Sequence, residues 1–544
     1  MVKTCARPRK RLLPLCLSAA LCAAAAPAWA AISENLGVSM DAMSLGNAVT
    51  AAPTGIDAIH FNPAGLANID ADTFSQAFLA ARLKGWAAFH QPEGYDVGGW
   101  KQDPLDGTHG GAFKQALYIP GFGPSKARLP FAAAGSVGVA FHKPGSDWTF
   151  ATAFYPTQAL GFDRTLTPND PTNFDGKKVI LQRLVYLSPS AAYKVSKTLQ
   201  LGISVPVSDQ SFYLSTDMRM PNELLGIIGK LQQGWCGQDG NSNPVDVFAF
   251  GLCGGGSDGL ISPYKKAASL TIDATAPIDI TVNLGVLWEP EPWVSVGAVY
   301  QGGSKTIVRG TYEMDAEPML RAFGSGLYHS LFGPIVGAIT GIPPNIPAQQ
   351  TGYMQAVLPF PAHAQIGIAL KPLKGLQITA DEGWSDWGSW DKLTIRFDQQ
   401  IKILEAARIF GVADPSQLVM PRGYKSTWSP GFGVQYQIPF FPALTLRAGY
   451  EHRRSSIPGN KVDLIAPLGD MNIHSFGLKY QVDAATTVSA SVSRATTHFY
   501  APAGTDCNLN CTNFDNVIYN PYAGLDVSGG LSLIMAGMTL NHQF

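Results

Sequence analysis

The chain has 544 residues, of which 15% are charged and 57 are glycine, and its formal net charge is −1. This balance excludes the basic surface that a nucleic-acid-binding protein needs, so no nucleic acid is expected as a partner. A β-barrel with long loops reaches this length as a single unit.

Residues 1–30 have the three parts of a secretory signal peptide. Basic residues precede an apolar run over residues 12–26, and Ala28-Trp29-Ala30 supplies a small-residue cleavage site. The mature chain is therefore expected to begin at Ala31. An uncleaved anchor helix is the alternative, although the apolar run is shorter than the roughly 20 residues that a membrane span requires.

Small residues dominate residues 44–69, and two prolines interrupt this segment. It can pack backbone against backbone, but it cannot form a continuous strand, a long helix or a core of its own. Its most distinctive feature is an Asn62-Pro63-Ala64 corner. In composition and position it resembles the hatch of the outer-membrane long-chain fatty acid transporter family (FadL/TodX-like). The resemblance implies that residues 31–71 form a hatch that plugs a β-barrel.

Short segments of alternating polarity recur after the hatch. Along residues 488–493, for example, valine and alanine alternate with serine, which is typical of a strand with one apolar face. Such segments predict about 14 strands, an even number as a single-chain barrel requires. The last one ends at Phe544, and an aromatic final residue resembles the signal that the barrel assembly machinery recognises. We therefore predict an all-β protein, with residues 72–544 forming an antiparallel transmembrane β-barrel.

A soluble β-sandwich would show the same alternation. Aromatic residues near strand ends favour the membrane barrel, because they form girdles at the two membrane interfaces. The girdle candidates are Trp384, Trp387, Trp390, Trp428, Tyr436, Tyr450 and Tyr480, and for each one taken singly the alternative is ordinary packing.

Three long links, near residues 208–267, 312–355 and 501–526, are expected on the extracellular side. The first two contain apolar residues at helical spacing. Because exposed apolar stripes usually mark an interaction site, we predict that a groove between two loop helices captures an apolar ligand. The alternative is that the helices bury their stripes against each other and cap the barrel. The predicted ligand-binding residues are Leu224, Leu225, Ile228, Leu320, Phe323, Leu327, Leu331 and Phe332.

The family resemblance also implies a route: capture by the outer loops, transfer to an apolar pocket, hatch movement and sideways exit through a kinked strand. The matching strand covers residues 148–161, and Pro156 interrupts it. Proline removes a ladder donor and is tolerated in strands chiefly at edges and bulges. We predict a gap in the wall beside Tyr155, Pro156 and Thr157, facing the corner at residues 62–64. The alternative is that Pro156 starts a turn.

A carboxylate ligand would need a lumen cation, and arginine suits a carboxylate because it can donate two parallel hydrogen bonds. The candidates by strand phase or position are Arg183, Arg447, Arg453 and Arg454, and Arg447 is the predicted ligand residue. The alternative is that these arginines pair with lumen acids such as Glu451. An aromatic hydrocarbon would need no cation.

Four cysteines remain after the leader is removed. In an oxidising compartment the expected disulfides join Cys236 to Cys253 and Cys507 to Cys511. A metal site built from all four would lack Cys-x-x-Cys spacing, and no metal or cofactor is expected. The sequence has no nucleophile elbow, metalloprotease motif or phosphate-binding loop, so an enzyme is not expected.

The sequence thus predicts a monomeric barrel surrounded by outer-membrane lipids that passively transports hydrophobic molecules. Long-chain fatty acids are the expected ligands, and aromatic or alkane hydrocarbons are the alternative. A surface receptor or adhesin whose barrel only displays loops is the alternative from another class of function.

Overall fold

The structure is a computed structural model that describes residues 37–126, 130–237, 240, 243–254, 257–335, 343–410, 412–465, 468–512 and 520–544. The predicted signal peptide and the first residues of the predicted mature chain lie outside these ranges. No helix within them is long and apolar enough to span a membrane.

Fourteen antiparallel strands form a closed barrel in the described part of the chain, as predicted. Strand β1 pairs with β14 from Thr73 opposite Gln543 to His90 opposite Asp526, which closes the barrel. The strands are β1 (Thr73–His90), β2 (Ala132–His142), β3 (Trp148–Asp163), β4 (Lys178–Leu187 and Ser190–Lys194), β5 (Leu199–Ser204 and Val207–Met218), β6 (Ala268–Thr275, Asp279–Ile280 and Asn283–Glu291), β7 (Val294–Gln301 and Ser304–Ala316), β8 (Gln349–Phe360 and His363–Leu373), β9 (Leu376–Ser385 and Lys392–Phe397), β10 (Gln417–Pro421 and Thr427–Gln437), β11 (Leu444–Arg453), β12 (Met471–Gln481), β13 (Thr486–Ala501) and β14 (Asp526–Gln543).

The remaining elements are short. Two-residue strands in the link between β1 and β2 are His109–Gly110, Lys114–Gln115, Tyr118–Ile119 and Gly123–Pro124. The α-helices that lie wholly within the described residues are α1 (Met40–Ser44), α2 (Ala58–Phe61), α3 (Glu223–Trp235), α4 (Pro244–Ala249), α5 (Pro318–His329) and α6 (Lys402–Ala406). The 3₁₀ helices are Gly55–Asp57, Pro63–Asn68, Pro171–Asp175, Ser257–Gly259, Trp387–Ser389 and Ala407–Phe410.

The two ends of the barrel differ in the length of their connections. Short turns lie at the end that contains Thr73 and Gln543, and the long links leave the other end. Since short turns of transmembrane barrels face the periplasm, we refer to the periplasmic and extracellular ends accordingly.

The described part of the hatch lies inside the periplasmic half of the barrel. Helix α1 contacts β11 to β14, whereas the Pro63–Asn68 helix contacts β3 to β6. Glycines in the wall allow the close approach: a Cβ atom on Gly202 would lie 2.1 Å from the carbonyl carbon of Pro63. The hatch therefore fills the lumen between opposite sides of the wall.

The inner and outer faces of the wall exchange polarity halfway along the barrel: the face that is polar in one half is apolar in the other. On β13, the serines of residues 489–493 face the lumen and Val492 faces outward. Beyond them Arg494 faces outward, while Ala495 and Phe499 are buried inside. The periplasmic half is thus apolar outside and polar inside, as a membrane-embedded barrel requires, and the extracellular half has an apolar interior.

On β7 the exchange occurs at a break in the strand. Inward residues have odd numbers up to Gln301 and even numbers from Thr306 onward, and Gly302 and Gly303 separate the two runs. Such a break shifts the alternation by one residue, so every side chain after it points to the opposite face. Strands β4 to β10 are all divided in this region, so the break extends across half of the wall.

Candidate functional site

An apolar chamber of about 110 Å³ lies in the extracellular half of the barrel. Side chains of β3, β4, β5, β8, β9 and β10 and of the link after β11 surround it. The apolar residues in its wall are Leu160, Val179, Leu181, Phe212, Leu214, Leu358, Trp387, Trp390, Leu393, Met420, Tyr424, Ile457, Ile465 and Leu468. The polar ones are Gln158, Arg422, Ser456 and Asp463.

An aromatic cluster forms one side of the chamber. The rings of Trp390 and Tyr424 stack at 6.0 Å with an interplanar angle of 11°, and Trp387 lies 5.9 Å from Trp390. The indole N–H of Trp390 donates to the carbonyl oxygen of Pro359. The chamber therefore offers flat, polarizable surfaces to an apolar ligand.

The prediction that Trp387 and Trp390 belong to a membrane girdle is wrong. Both are buried inside the barrel, because the Trp387–Ser389 helix separates the two pieces of β9 and turns the chain inward. Trp428, Tyr436 and Tyr480 are exposed on the outer face, as a girdle requires.

Arg422 is the cation in the chamber wall. Its Nη1 atom pairs with Asp463 Oδ2, and both side chains are at least 90% buried. Its Nη2 atom lies 3.7 Å from the Met420 sulfur. Within the described residues its Nε atom has no hydrogen-bond partner. A buried guanidinium with donor capacity to spare thus borders an apolar cavity.

Sequence reasoning missed Arg422. It stands between Pro421 and Gly423 in the link that joins the two pieces of β10, so it has no strand phase that could assign it to the lumen. The flanking proline and glycine were the one sequence signal at this position, and they indicate a turn at Arg422.

A second cavity, of about 330 Å³, lies in the wall between β1 and β3. Strand β2 pairs with β1 no further than Ala132 opposite Ala81, and with β3 no further than Val137 opposite Phe154. On the edge of β3 that β2 covers, the described residues next provide a strand partner beyond Phe154 at Phe162, whereas β4 pairs with the other edge from Tyr155 to Asp163. The wall is therefore thinned over about half of β3, and we name this space the lateral cavity.

Pro156 and Thr157 line the lateral cavity. The pairing of β3 with β4 shifts register between Pro156 and Gln158, and the strand continues to Asp163. Pro156 therefore lies at a bulge and does not start a turn. Tyr155 is buried, and its ring centroid lies 5.4 Å from that of His60 in the hatch.

The chamber and the lateral cavity adjoin each other across β3. Gln158 and Leu160 belong to the walls of both. A ligand in the chamber is thus separated from the lateral cavity by the side chains of one strand.

The hatch corner does not face the lateral cavity, so that part of the prediction is wrong. Asn62 Nδ2 donates to Val286 of β6 at 3.0 Å and to Thr50 of the hatch at 2.8 Å. Elsewhere in the described part of the hatch, Gly37 lies beside Pro156: a Cβ atom on Gly37 would be 3.8 Å from Pro156 Cγ. Helix α2 places His60, two residues before the corner, on the side of β3. Burial lowers the pKa of His60 to about 3, so its ring is neutral there.

Arg447 binds the hatch. Its Nη1 atom lies 2.7 Å from Asp41 Oδ1, and both side chains are buried. On the same strand, Glu451 Oε2 accepts from Asn47 Nδ2 at 2.7 Å. The structure therefore corrects the expected ligand role of Arg447, because a hatch carboxylate already occupies it.

Two of the other lumen arginines also have acidic partners. Arg183 lies 3.2 Å from Asp279 and stacks over the ring of Phe360 at 3.7 Å. Arg453 Nε donates to Glu451 Oε1 at 2.7 Å. These contacts agree with the alternative interpretation of lumen ion pairs.

The loop helices α3 and α5 bury most of their predicted ligand residues in a common cluster. Leu225 and Met319 are buried in it. Leu224, Ile228, Leu320 and Phe323 pack against it, and Leu327 is buried on α5. Leu331 and Phe332 lie beyond α5 and are exposed. The two helices thus bury their apolar faces in one shared cluster, and the capture groove stays a prediction.

The four cysteines form two disulfides in the extracellular links. Cys236, at the end of α3, is bonded to Cys253 in the link that follows α4. Cys507 is bonded to Cys511 in the last long link.

The sequence from residue 19 to residue 544 matches the family model described as "Outer membrane protein transport protein (OMPP1/FadL/TodX)". The chain belongs to this family. It is an outer-membrane β-barrel of a family that transports hydrophobic compounds. No curated protein matches the sequence.

Solved structures show the same fold. A Pseudomonas aeruginosa FadL homologue has a TM-score of 0.63 and 16% identity, covering 95% of this chain and 100% of that one. The Ralstonia pickettii toluene transporter TbuX has a TM-score of 0.55 and 16% identity, covering 94% and 99%. The Pseudomonas putida toluene transporter TodX has a TM-score of 0.56 and 14% identity, covering 92% and 97%.

Proposed function

We propose that this FadL/TodX-family protein passively conducts long-chain fatty acids across the outer membrane. The observation that carries the proposal is an apolar chamber with a buried, incompletely bonded guanidinium in its wall, next to a cavity that thins the barrel wall. The protein acts as a monomer in this proposal, and the barrel assembly machinery inserts it.

The chamber suits an amphipathic ligand. An alkyl chain gains roughly 0.8 kcal/mol for each methylene that it buries among the leucines and aromatic rings. A carboxylate would accept from Arg422 Nε, and a charge-assisted hydrogen bond of this kind contributes about 1.5–3 kcal/mol. Because the chamber holds only about 110 Å³, a long chain must extend across β3 into the lateral cavity.

The polarity of the lumen favours a sideways exit. On the periplasmic side of the chamber the inner wall is polar and the hatch fills the lumen. An apolar chain that moved along the barrel axis would therefore pass from an apolar environment into a polar one. The lateral cavity instead has Leu79, Leu83 and Leu160 in its wall. We propose that the ligand leaves beside Pro156 after a shift of the hatch, and that the outer loops capture it first.

Neutral aromatic hydrocarbons are the second candidate ligands. Asp463 already balances the charge of Arg422, so an uncharged ligand leaves no buried ion unpaired. A cavity of about 150 Å³ lined by apolar side chains can hold benzene, and the chamber at about 110 Å³ is close to that size.

Uptake measurements test the proposal. Cells that lack their own hydrophobic-compound channels would express the wild type or one of three variants, and uptake of labelled oleate and labelled toluene would be measured. Leu160→Trp fills the space between chamber and lateral cavity, and we expect it to abolish uptake. Leu201→Trp, on the exposed outer face, is the matched control and should have no effect. Arg422→Lys keeps the charge opposite Asp463 but loses Nε, so oleate uptake at low concentration should fall roughly tenfold while toluene uptake does not change.

Three results would change the conclusion. Full uptake by Leu160→Trp would refute the route across β3. Uptake of toluene without oleate would make the hydrocarbon the substrate. Uptake of neither compound by the wild type would favour the display of loops as a surface receptor or adhesin.

A further inference from the structure

We propose that Arg82, Lys84 and Arg494 form a binding site for the phosphorylated headgroup of a lipid in the outer leaflet. The three cations face outward and are exposed. Arg82 and Lys84 lie on β1 and Arg494 lies on β13, so they flank β14 at the seam where the barrel closes. We name this surface the seam patch.

The register of the strands brings the three side chains together. Arg82 and Arg494 are both opposite Ile534 of β14, and Lys84 is opposite Ser532. Because neighbouring strands lie about 4.8 Å apart, the two arginine Cα atoms are about 10 Å apart across β14. Two arginine side chains can converge over that distance on one phosphate, and each can donate two parallel hydrogen bonds to it.

The seam patch lies where the outer face changes from apolar to polar. Directly below it on the same three strands, Phe78, Val492 and Met538 are exposed. Trp86 lies above it and is 48% exposed, with its indole against Gly530. Tryptophan favours the headgroup level of a membrane. The cations are therefore placed at the depth of lipid phosphates, with an apolar surface for the acyl chains beneath them.

Charge also favours an anionic occupant. Among the described residues, none of the three cations is within ion-pair distance of a carboxylate. The outward cations Lys305, Arg309 and Arg396 of β7 and β9 also have no described carboxylate within ion-pair distance, but acids stand near two of them: Glu313 is exposed on the same face of β7 as Arg309, and Asp414 interacts electrostatically with Arg396. Basic residues at an anionic lipid surface are attracted to it, and salt weakens this attraction.

The seam patch borders the lateral cavity. Strand β2 stops pairing with β1 at Ala81, so Arg82 and Lys84 begin the part of β1 that β2 does not cover. On the opposite face of β1, Ala81 and Leu83 line the lateral cavity. A lipid bound at the seam patch would stand beside the mouth of that cavity.

Lipid binding to the purified full-length barrel in dodecyl maltoside tests the proposal. The probe is doubly phosphorylated lipid A, and the readout is the apparent Kd from native mass spectrometry at low salt. The triple variant Arg82→Gln, Lys84→Gln and Arg494→Gln should bind about 30-fold more weakly, since each cation contributes about threefold. The control triple variant Lys305→Gln, Arg309→Gln and Arg396→Gln removes as many outward cations and should stay within about twofold of the wild type.

Dephosphorylated lipid A should bind the wild type as weakly as lipid A binds the seam variant. Equal losses in both triple variants, or no loss in either, would overturn the proposal, because binding would then be diffuse or independent of these cations. Competition by millimolar inorganic phosphate would identify a site for the free ion and would also overturn it. If the triple variant does not give a heat-resistant barrel, the single variants Arg82→Gln and Arg494→Gln replace it, each with an expected loss of about threefold.

Discussion

The Asp41–Arg447 ion pair should decide whether the hatch stays docked. In the wild type both side chains are at most 6% exposed. Replacing one partner, in Arg447→Gln or Asp41→Asn, therefore leaves the charge of the other partner buried and without its ion pair. Breaking a buried pair in this way costs about 3–5 kcal/mol. Lys479 also interacts with Asp41, so we take the lower end for Arg447→Gln. A cost of about 3 kcal/mol raises the released fraction of the hatch roughly 150-fold.

A cysteine in the hatch would report the release. Val49 is 1% exposed, and Val49→Cys adds a thiol that a membrane-impermeant maleimide reaches only when the hatch leaves the lumen. We expect labelling about 100-fold faster in either charge variant than in the Val49→Cys parent. The double variant Asp41→Asn with Arg447→Gln removes both members of the pair, so its labelling rate should return to within about tenfold of the parent.

Two results would refute this argument. Unchanged labelling in both single variants would show that the pair does not hold the hatch. A double variant whose labelling is as fast as the two single effects combined would show that the two residues act independently.

Hatch release should also depend on pH, because burial raises the pKa of Asp57 to about 7. Protonation of Asp57 then favours the docked hatch, so docking should be strongest below about pH 4 and labelling should speed up as the pH rises to about 7. The expected increase in labelling rate is only about tenfold, because Asp57 is partly exposed to solvent. Asp57→Asn should remove this pH dependence. Gly202→Ala places a Cβ atom 2.1 Å from Pro63, so it should release the hatch while the barrel keeps its heat resistance in gel electrophoresis. Reduction of the Cys236–Cys253 disulfide should make the extracellular loops sensitive to protease. A barrel that melts on reduction would contradict this placement of the bond.

Much of the fold was predictable because period-two alternation and a small-residue hatch are both local signals. The alternation along residues 488–493 indicated a strand with one apolar face, and the aromatic residues near strand ends and the hatch resemblance favoured a membrane barrel over a sandwich. The strand breaks were harder to predict. Trp390 follows a short helix inside β9, and the phase of the strand does not continue through it.

The site was less predictable than the fold. Arg422 and Asp463 meet across 41 positions of sequence, and their contact depends on how two links fold over the chamber. Arg447 had the correct strand phase for the lumen, yet phase cannot distinguish a residue that meets a ligand from one that meets the hatch. Asn62 marked the hatch correctly, but its contact with Val286 depends on how the docked hatch is rotated.

The exchange of polarity halfway up the wall has a consequence for how the cell surface displays this protein. The extracellular piece of β7 has Lys305, Arg309 and Glu313 exposed on its outer side, with Ile307 between the first two, in a strand that is paired with β8. Antibodies or phage could therefore recognise a fixed, folded strand surface that projects from the membrane, in addition to the loop tips. A binder raised against that surface would not depend on loop conformation, and it would leave the openings of the barrel uncovered.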